Sequence, residues 1–233
     1  MSFNSYGNSI QRNTPVVLNL IIINVLVFAA QNMITQFNIT EWGSLHYYKS
    51  SLFKPHQMVT HMFMHMNVSH ILFNMFGLWI FGTVLERFKR KKKFLIFYLI
   101  CGIGSAIFEQ LLMPYDSLQS AKNTAEYLAN PQMLQAIVES FKEYNYSLGA
   151  SGAIMGVFAA FAYLFPNTEL YIMFIPIPVK AKYVIPFFVL IDLFGGIYRI
   201  KGDNIGHFAH LGGAIIGFLL VLYWNKTNKK TFY

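Results

Sequence analysis

Charge is scarce in this chain. Asp, Glu, Lys and Arg make up 12% of its 233 residues, about half of the ~25% carried by an ordinary soluble domain. Hydrophobic residues make up 55%, and the mean hydropathy is +0.42. So little polar surface excludes a water-facing globular domain and points to a multi-pass membrane protein. Cysteine is scarcer still. Cys101 stands alone, so no intrachain disulfide can form, and its apolar surroundings are those of a packing residue rather than a reactive thiol. Within the apolar runs the only acids are Glu109 and Asp192, both read as lying near span ends and too few to line a transporter or channel pathway. No glycine-rich phosphate loop is present. His61 and His65 have the four-residue spacing of a zinc-binding helix face, but Met62 stands where a zinc protease carries its glutamate. No metal and no cofactor is therefore expected.

What the chain does have is long apolar runs. Six spans are read at Val16–Gln36, Met58–Leu85, Phe94–Met113, Leu148–Phe165, Tyr183–Tyr198 and Ile205–Trp224, each near the ~20 residues that cross a bilayer. The second would be ~42 Å long as one helix, so it must tilt or protrude. The net charge of +8 is concentrated: six of the 18 basic residues lie in 87–93, between two apolar runs. That placement suits a cytoplasmic loop near anionic headgroups and argues against nucleic acid. With 87–93 cytoplasmic, six spans put both termini on that side, together with 12 of the 18 basic residues. The expected organisation is a short cytoplasmic segment 1–15, one membrane domain over 16–224 and a basic cytoplasmic tail 225–233. The polar stretch of about 114–147 forms an external insertion. Within it, Met133, Ile137, Phe141 and Tyr144 recur at helical spacing, which predicts an amphipathic helix over 132–144.

Two of the spans carry faces of small residues. Gly152, Gly156 and Ala160 recur every fourth position in one, and Gly213 and Gly217 follow His210 in the other. Such faces let helices approach closely in lipid. Packing accounts for the glycines, but not for the serine and the histidine that accompany them. Ser151 at the start of the fourth span and His210 early in the sixth lie at matched depth. A serine hydroxyl needs a base to become a nucleophile, and histidine is the usual one. His70 and Asn74, one turn apart in the second span, are polar groups at membrane depth. They can donate to a tetrahedral oxyanion, as can the Ser151 backbone N–H. His207, one turn before His210, reads as a solvated residue at the mouth of the site, since one base suffices.

The chain resembles the rhomboid intramembrane serine proteases. The motifs that carry the resemblance are Gly149-Ala150-Ser151-Gly152, Ala209-His210 with Gly213 and Gly217, and His70 with Asn74; Glu86 also falls where family members often carry a glutamate. The resemblance covers about residues 16–224. It implies an all-α membrane protein with a six-transmembrane-helix bundle, and a catalytic dyad of Ser151 and His210 with no acidic third member. It also implies an oxyanion hole lined by Asn74 and His70. The implied activity is endoproteolysis of single-pass or other transmembrane substrates near their outer ends, among membrane lipids. A bacterial cytoplasmic membrane is the expected location. The alternative is a catalytically inactive relative that binds membrane clients. The sequence departs from the family at His56-Gln57, where a Trp-Arg pair is common, and at Met155, where some members have a tyrosine that stacks on the catalytic histidine.

Overall fold

The computed structural model describes residues 14–125, 131–171, 177–198, 203 and 205–227. Most of the two terminal segments, including Arg12, Lys229 and Lys230, lies outside the described residues. The fold is a bundle of helices, and the described strands are two-residue pairs.

Helix α1 (Pro15–Met33) begins with proline in its first turn, where a missing N–H costs nothing. The next two amides are satisfied from another helix. Val16 N–H donates to Glu86 Oε1 at 3.0 Å and Val17 N–H to Oε2 at 2.8 Å. Glu86 is buried, so its carboxylate serves as the cap of α1, at the end where the helix dipole favours negative charge. Glu86→Ala should leave two amides unmet and destabilise the protein by about 1–3 kcal/mol. Thermal unfolding in detergent would read this as a lowered midpoint, and an unchanged midpoint would refute the capping role.

After α1 come the short helix α2 (Ile39–Gly43), strand β1 (Leu45–His46) and the one-turn helix α3 (Gln57–Thr60). The position at which the family's arginine is replaced holds this loop together. The Gln57 side chain donates to the carbonyls of Leu52 and Trp42 and accepts from the amides of Lys54 and His46. The His56 ring stacks on Trp42.

The apolar run from Met58 to Leu85 is not one span. It breaks after a 3₁₀ turn at His61–Phe63, with Met64 extended. It then restarts as α4 (Val68–Lys89). Asn67 is the reason: its side chain accepts from His70 N–H at 2.8 Å and caps the new helix. The excess length is thereby resolved, since the 22 residues of α4 reach only ~33 Å. His61 and His65 do not share a helix face, because the helix ends between them, and His61 Nδ1 bonds the Gln57 carbonyl.

Helix α5 (Lys91–Ala125) runs through Pro114 for 35 residues, or ~52 Å, well beyond a ~30 Å hydrocarbon core. Part of the polar insertion is therefore a continuation of the third span rather than a loop. Helix α6 (Pro131–Tyr144) follows as expected, and β2 (Tyr146–Ser147) pairs antiparallel with β1. Next come α7 (Ser151–Leu164), the paired strands β3 (Glu169–Leu170) and β4 (Val179–Lys180), α8 (Ala181–Ile197) and α9 (His207–Thr227). Among the described residues four helices, α1, α4, α5 and α9, are long and apolar enough to cross a membrane. The 17 residues of α8 and the 14 of α7 are fewer.

Most of α7 is buried, and it lies at the centre of the bundle. Ile154, Val157, Ala160 and Phe161 share one core with Leu78 of α4 and Phe94, Tyr98 and Cys101 of α5. On its other side the small-residue faces meet. A Cβ added to Gly213 of α9 would overlap the Gly152 carbonyl, and one on Gly217 would lie 2.5 Å from the Gly156 backbone. The two helices touch main chain to main chain, as the spacing predicted.

Candidate active site

The turn into α7 is set by Gly149. Its φ of 127° is a conformation that L side chains rarely adopt. The space a side chain would need is taken by the His70 ring, whose Nε2 lies 2.8 Å from an ideal Cβ. Gly149 N–H donates to the His61 carbonyl at 2.9 Å, which ties this turn to the start of the 3₁₀ segment. The chain then enters α7 with Ser151 as its first residue. First-turn amides of a helix have no intrahelical partner, and that end of the helix is electropositive.

His210 is the fourth residue of α9. Its Nε2 lies 2.8 Å from Ser151 Oγ, and its Nδ1 lies 3.0 Å from Asp192 Oδ1. A carboxylate only accepts, so Nδ1 carries the proton and the Nε2 lone pair faces the serine hydroxyl. The hydroxyl donates to it. This is the tautomer a general base requires.

Two expectations need correction here. Asp192 is not at a span end, and the resemblance's implied lack of an acidic partner does not fit this geometry. Asp192 lies inside α8, its side chain 10% exposed, directly behind His210. His207 is not solvated at the mouth of the site. Its side chain is 4% exposed, with Nδ1 2.9 Å from Asp192 Oδ1 and Nε2 2.8 Å from Asp203 Oδ2. One signal could have found the group: Asp192 is the only acid in the fifth apolar run, and an ionisable group there needs a partner.

His70 and Asn74 sit in the first and second turns of α4, nearer its start than a 58–85 helix implied. His70 Nδ1 accepts weakly from Met66 N–H at 3.5 Å, which leaves the proton on Nε2, the nitrogen facing Gly149. The His65 ring stands edge-on to His70 at 5.0 Å. Asn74 is buried, and among the described residues its Nδ2 has no hydrogen-bond partner. Met155 packs with Ala159 and Ala214.

The fold and this site define a helical, multi-pass integral membrane protein with a serine hydroxyl held on an imidazole inside the bundle. Residues 53–226 match the Rhomboid domain. The chain belongs to the rhomboid family. It is 31% identical over 225 residues to "RHOMBOID-like protein 12, mitochondrial" of Arabidopsis thaliana, which covers 93% of this chain and 60% of the relative. It is 28% identical over 225 residues to the human "Presenilin-associated rhomboid-like protein, mitochondrial", at 96% of this chain and 52% of the relative. To "Rhomboid protease AarA" of Providencia stuartii it is 28% identical over 222 residues, at 87% and 70%. The chain thus spans little more than half the length of the two mitochondrial relatives. Those two names lend no support to a bacterial cytoplasmic membrane.

Proposed function

We propose that the protein is an intramembrane serine endopeptidase acting on transmembrane segments of other proteins. The observation that carries this reading is the 2.8 Å contact between Ser151 Oγ and His210 Nε2. Ser151 Oγ attacks the scissile carbonyl carbon as His210 Nε2 takes its proton. The tetrahedral oxyanion is met by donors from Asn74 Nδ2, His70 Nε2 and the Ser151 backbone N–H. The unmet Asn74 amide supports this role, because a buried donor without a partner costs about 1–3 kcal/mol and is suited to a group held for a substrate oxygen. His210 then protonates the leaving amine, and water attacks the acyl-enzyme by the same route in reverse. Asp192 accepts from His210 Nδ1–H throughout, fixing the ring and stabilising the imidazolium.

Depth favours a membrane-embedded substrate. The 14 residues of α7 span ~21 Å against a hydrocarbon core of ~30 Å, so a helix anchored at its far end leaves Ser151 below the surface. Purified protein in detergent, incubated with a single-pass substrate carrying small residues at the cut, should release two fragments. A fluorophosphonate should label wild type and not Ser151→Ala. Stable binding of the substrate without cleavage or labelling would favour the inactive, client-binding alternative.

The proposed orientation puts 87–93 and both termini in the cytoplasm. Lys91 and Asn123 lie at opposite ends of α5, ~48 Å apart. Cysteines placed at these two positions should react with an impermeant reagent from opposite sides, and native Cys101, being buried, should stay silent. Labelling of both from one side would refute the topology.

A further inference from the structure

We propose that His207 is a positioning residue for this hydrolysis, holding the Asp192 carboxylate where it orients His210. The inference rests on the protease reading above and extends it to residues that touch neither substrate nor nucleophile.

Both imidazoles of α9 converge on one oxygen. His207 Nδ1 lies 2.9 Å and His210 Nδ1 3.0 Å from Asp192 Oδ1. The two histidines are three residues apart and so share a helix face, which is why a single carboxylate on α8 reaches both. A carboxylate oxygen offers two lone pairs, and here each receives a donor. The terminal torsion of an aspartate is broad, without the sharp wells of an aliphatic rotamer. With His210 as sole donor, the carboxylate could swing about that torsion and the imidazole could follow it. The second donor removes that freedom.

His207 is itself held from two sides. Its Nε2 bonds Asp203 Oδ2 at 2.8 Å, and a carboxylate there only accepts, so His207 donates from both nitrogens. Its ring also fills the space beside Gly195 of α8. An ideal Cβ at Gly195 would stand 2.6 Å from His207 Nε2 and 2.8 Å from Nδ1, so any side chain at 195 displaces the ring. Asp192 and Gly195 are three apart on α8, one supplying the acceptor and the other the space. The relay is Asp203, His207, Asp192, His210, Ser151, and its first two members act only through the third.

The plainer possibility is that His207 merely satisfies a buried carboxylate and stabilises the bundle. Three single variants and one double-mutant comparison separate the two roles, assayed with the single-pass substrate and the fluorophosphonate. His207→Ala should lower kcat by about 10- to 100-fold, the scale of a small misplacement of catalytic groups, with KM within about twofold. His207→Asn should recover most of the rate, because its amide nitrogen can donate where Nδ1 did. Gly195→Ala should reproduce the loss while keeping the imidazole. In an Asp192→Asn background, His207→Ala should add little, because residues that act through one another are not additive. A His207→Ala protein that labels and cleaves with normal kcat overturns the positioning role and leaves the protease reading intact. So does a full additional loss in the Asp192→Asn background. Should His207→Ala fail to fold, His207→Asn and Gly195→Ala carry the test, and normal kcat in Gly195→Ala or no recovery in His207→Asn overturns the proposal. Wild type that neither cleaves nor labels overturns the protease reading, and this one with it.

Discussion

Ser151→Ala should keep the fold and lose cleavage by about 10⁵–10⁶-fold in kcat. The substitution removes one oxygen from a half-buried site at the start of α7 and leaves the Gly152–Gly213 seam untouched. Stability in detergent should therefore stay close to wild type. His210→Ala should cost a similar factor, because a hydroxyl without its base is as poor a nucleophile as no hydroxyl at all. The double variant should be scarcely worse than either single one, since nucleophile and base act as a unit. What remains should be the contribution of the oxyanion donors and of substrate binding. Substantial turnover by well-folded Ser151→Ala protein would reject Ser151 as nucleophile, and strictly additive losses would reject the pair.

Asn74→Ala is the second large effect. Removing one oxyanion donor commonly costs ~10²–10³ in kcat. The donor acts on charge that develops only in the transition state, so KM should move little. Asn74 Nδ2 has no partner among the described residues, so its removal should cost little stability. This separates the oxyanion role from a structural one with opposite signs: an interhelical bond would show as a lowered unfolding midpoint with kcat of the folded fraction preserved. Single-turnover rates and thermal unfolding on the same samples decide between them.

The sequence made much of this legible because membrane constraints are severe. Small residues at every fourth position predicted where two helices touch. The rarity of polar groups in apolar runs marked Ser151, His210, His70 and Asn74. The break between Phe63 and Val68 was hidden for a matching reason. It depends on Asn67 capping a helix, and an uncharged asparagine inside an apolar run changes hydropathy too little to signal a boundary. Pro114 misled in the other direction. Proline usually ends a helix, yet α5 continues through it, so residues read as loop are helical. Asp192 was visible as a residue but not as a partner. Pairing it with His210 requires knowing how α8 rotates against α9, and that rotation is set by packing. Gln57 shows the same limit, since four hydrogen bonds to backbone can replace a family arginine without any motif to announce it.

The glycine seam between α7 and α9 also determines which parts of the molecule can move. Where Gly213 rests on the Gly152 backbone and Gly217 on that of Gly156, no side chain lies between to flip, compress or slide. Parting these helices would strip main-chain contact from both at once. The nucleophile and its base are therefore mounted on one stiff block, whose backbone spacing is fixed and leaves only the orientation of the His210 ring to be set by Asp192 and His207. A transmembrane segment cannot wedge itself in along this seam. Any opening that admits one must be hinged elsewhere, leaving the backbones that carry Ser151 and His210 at the same separation.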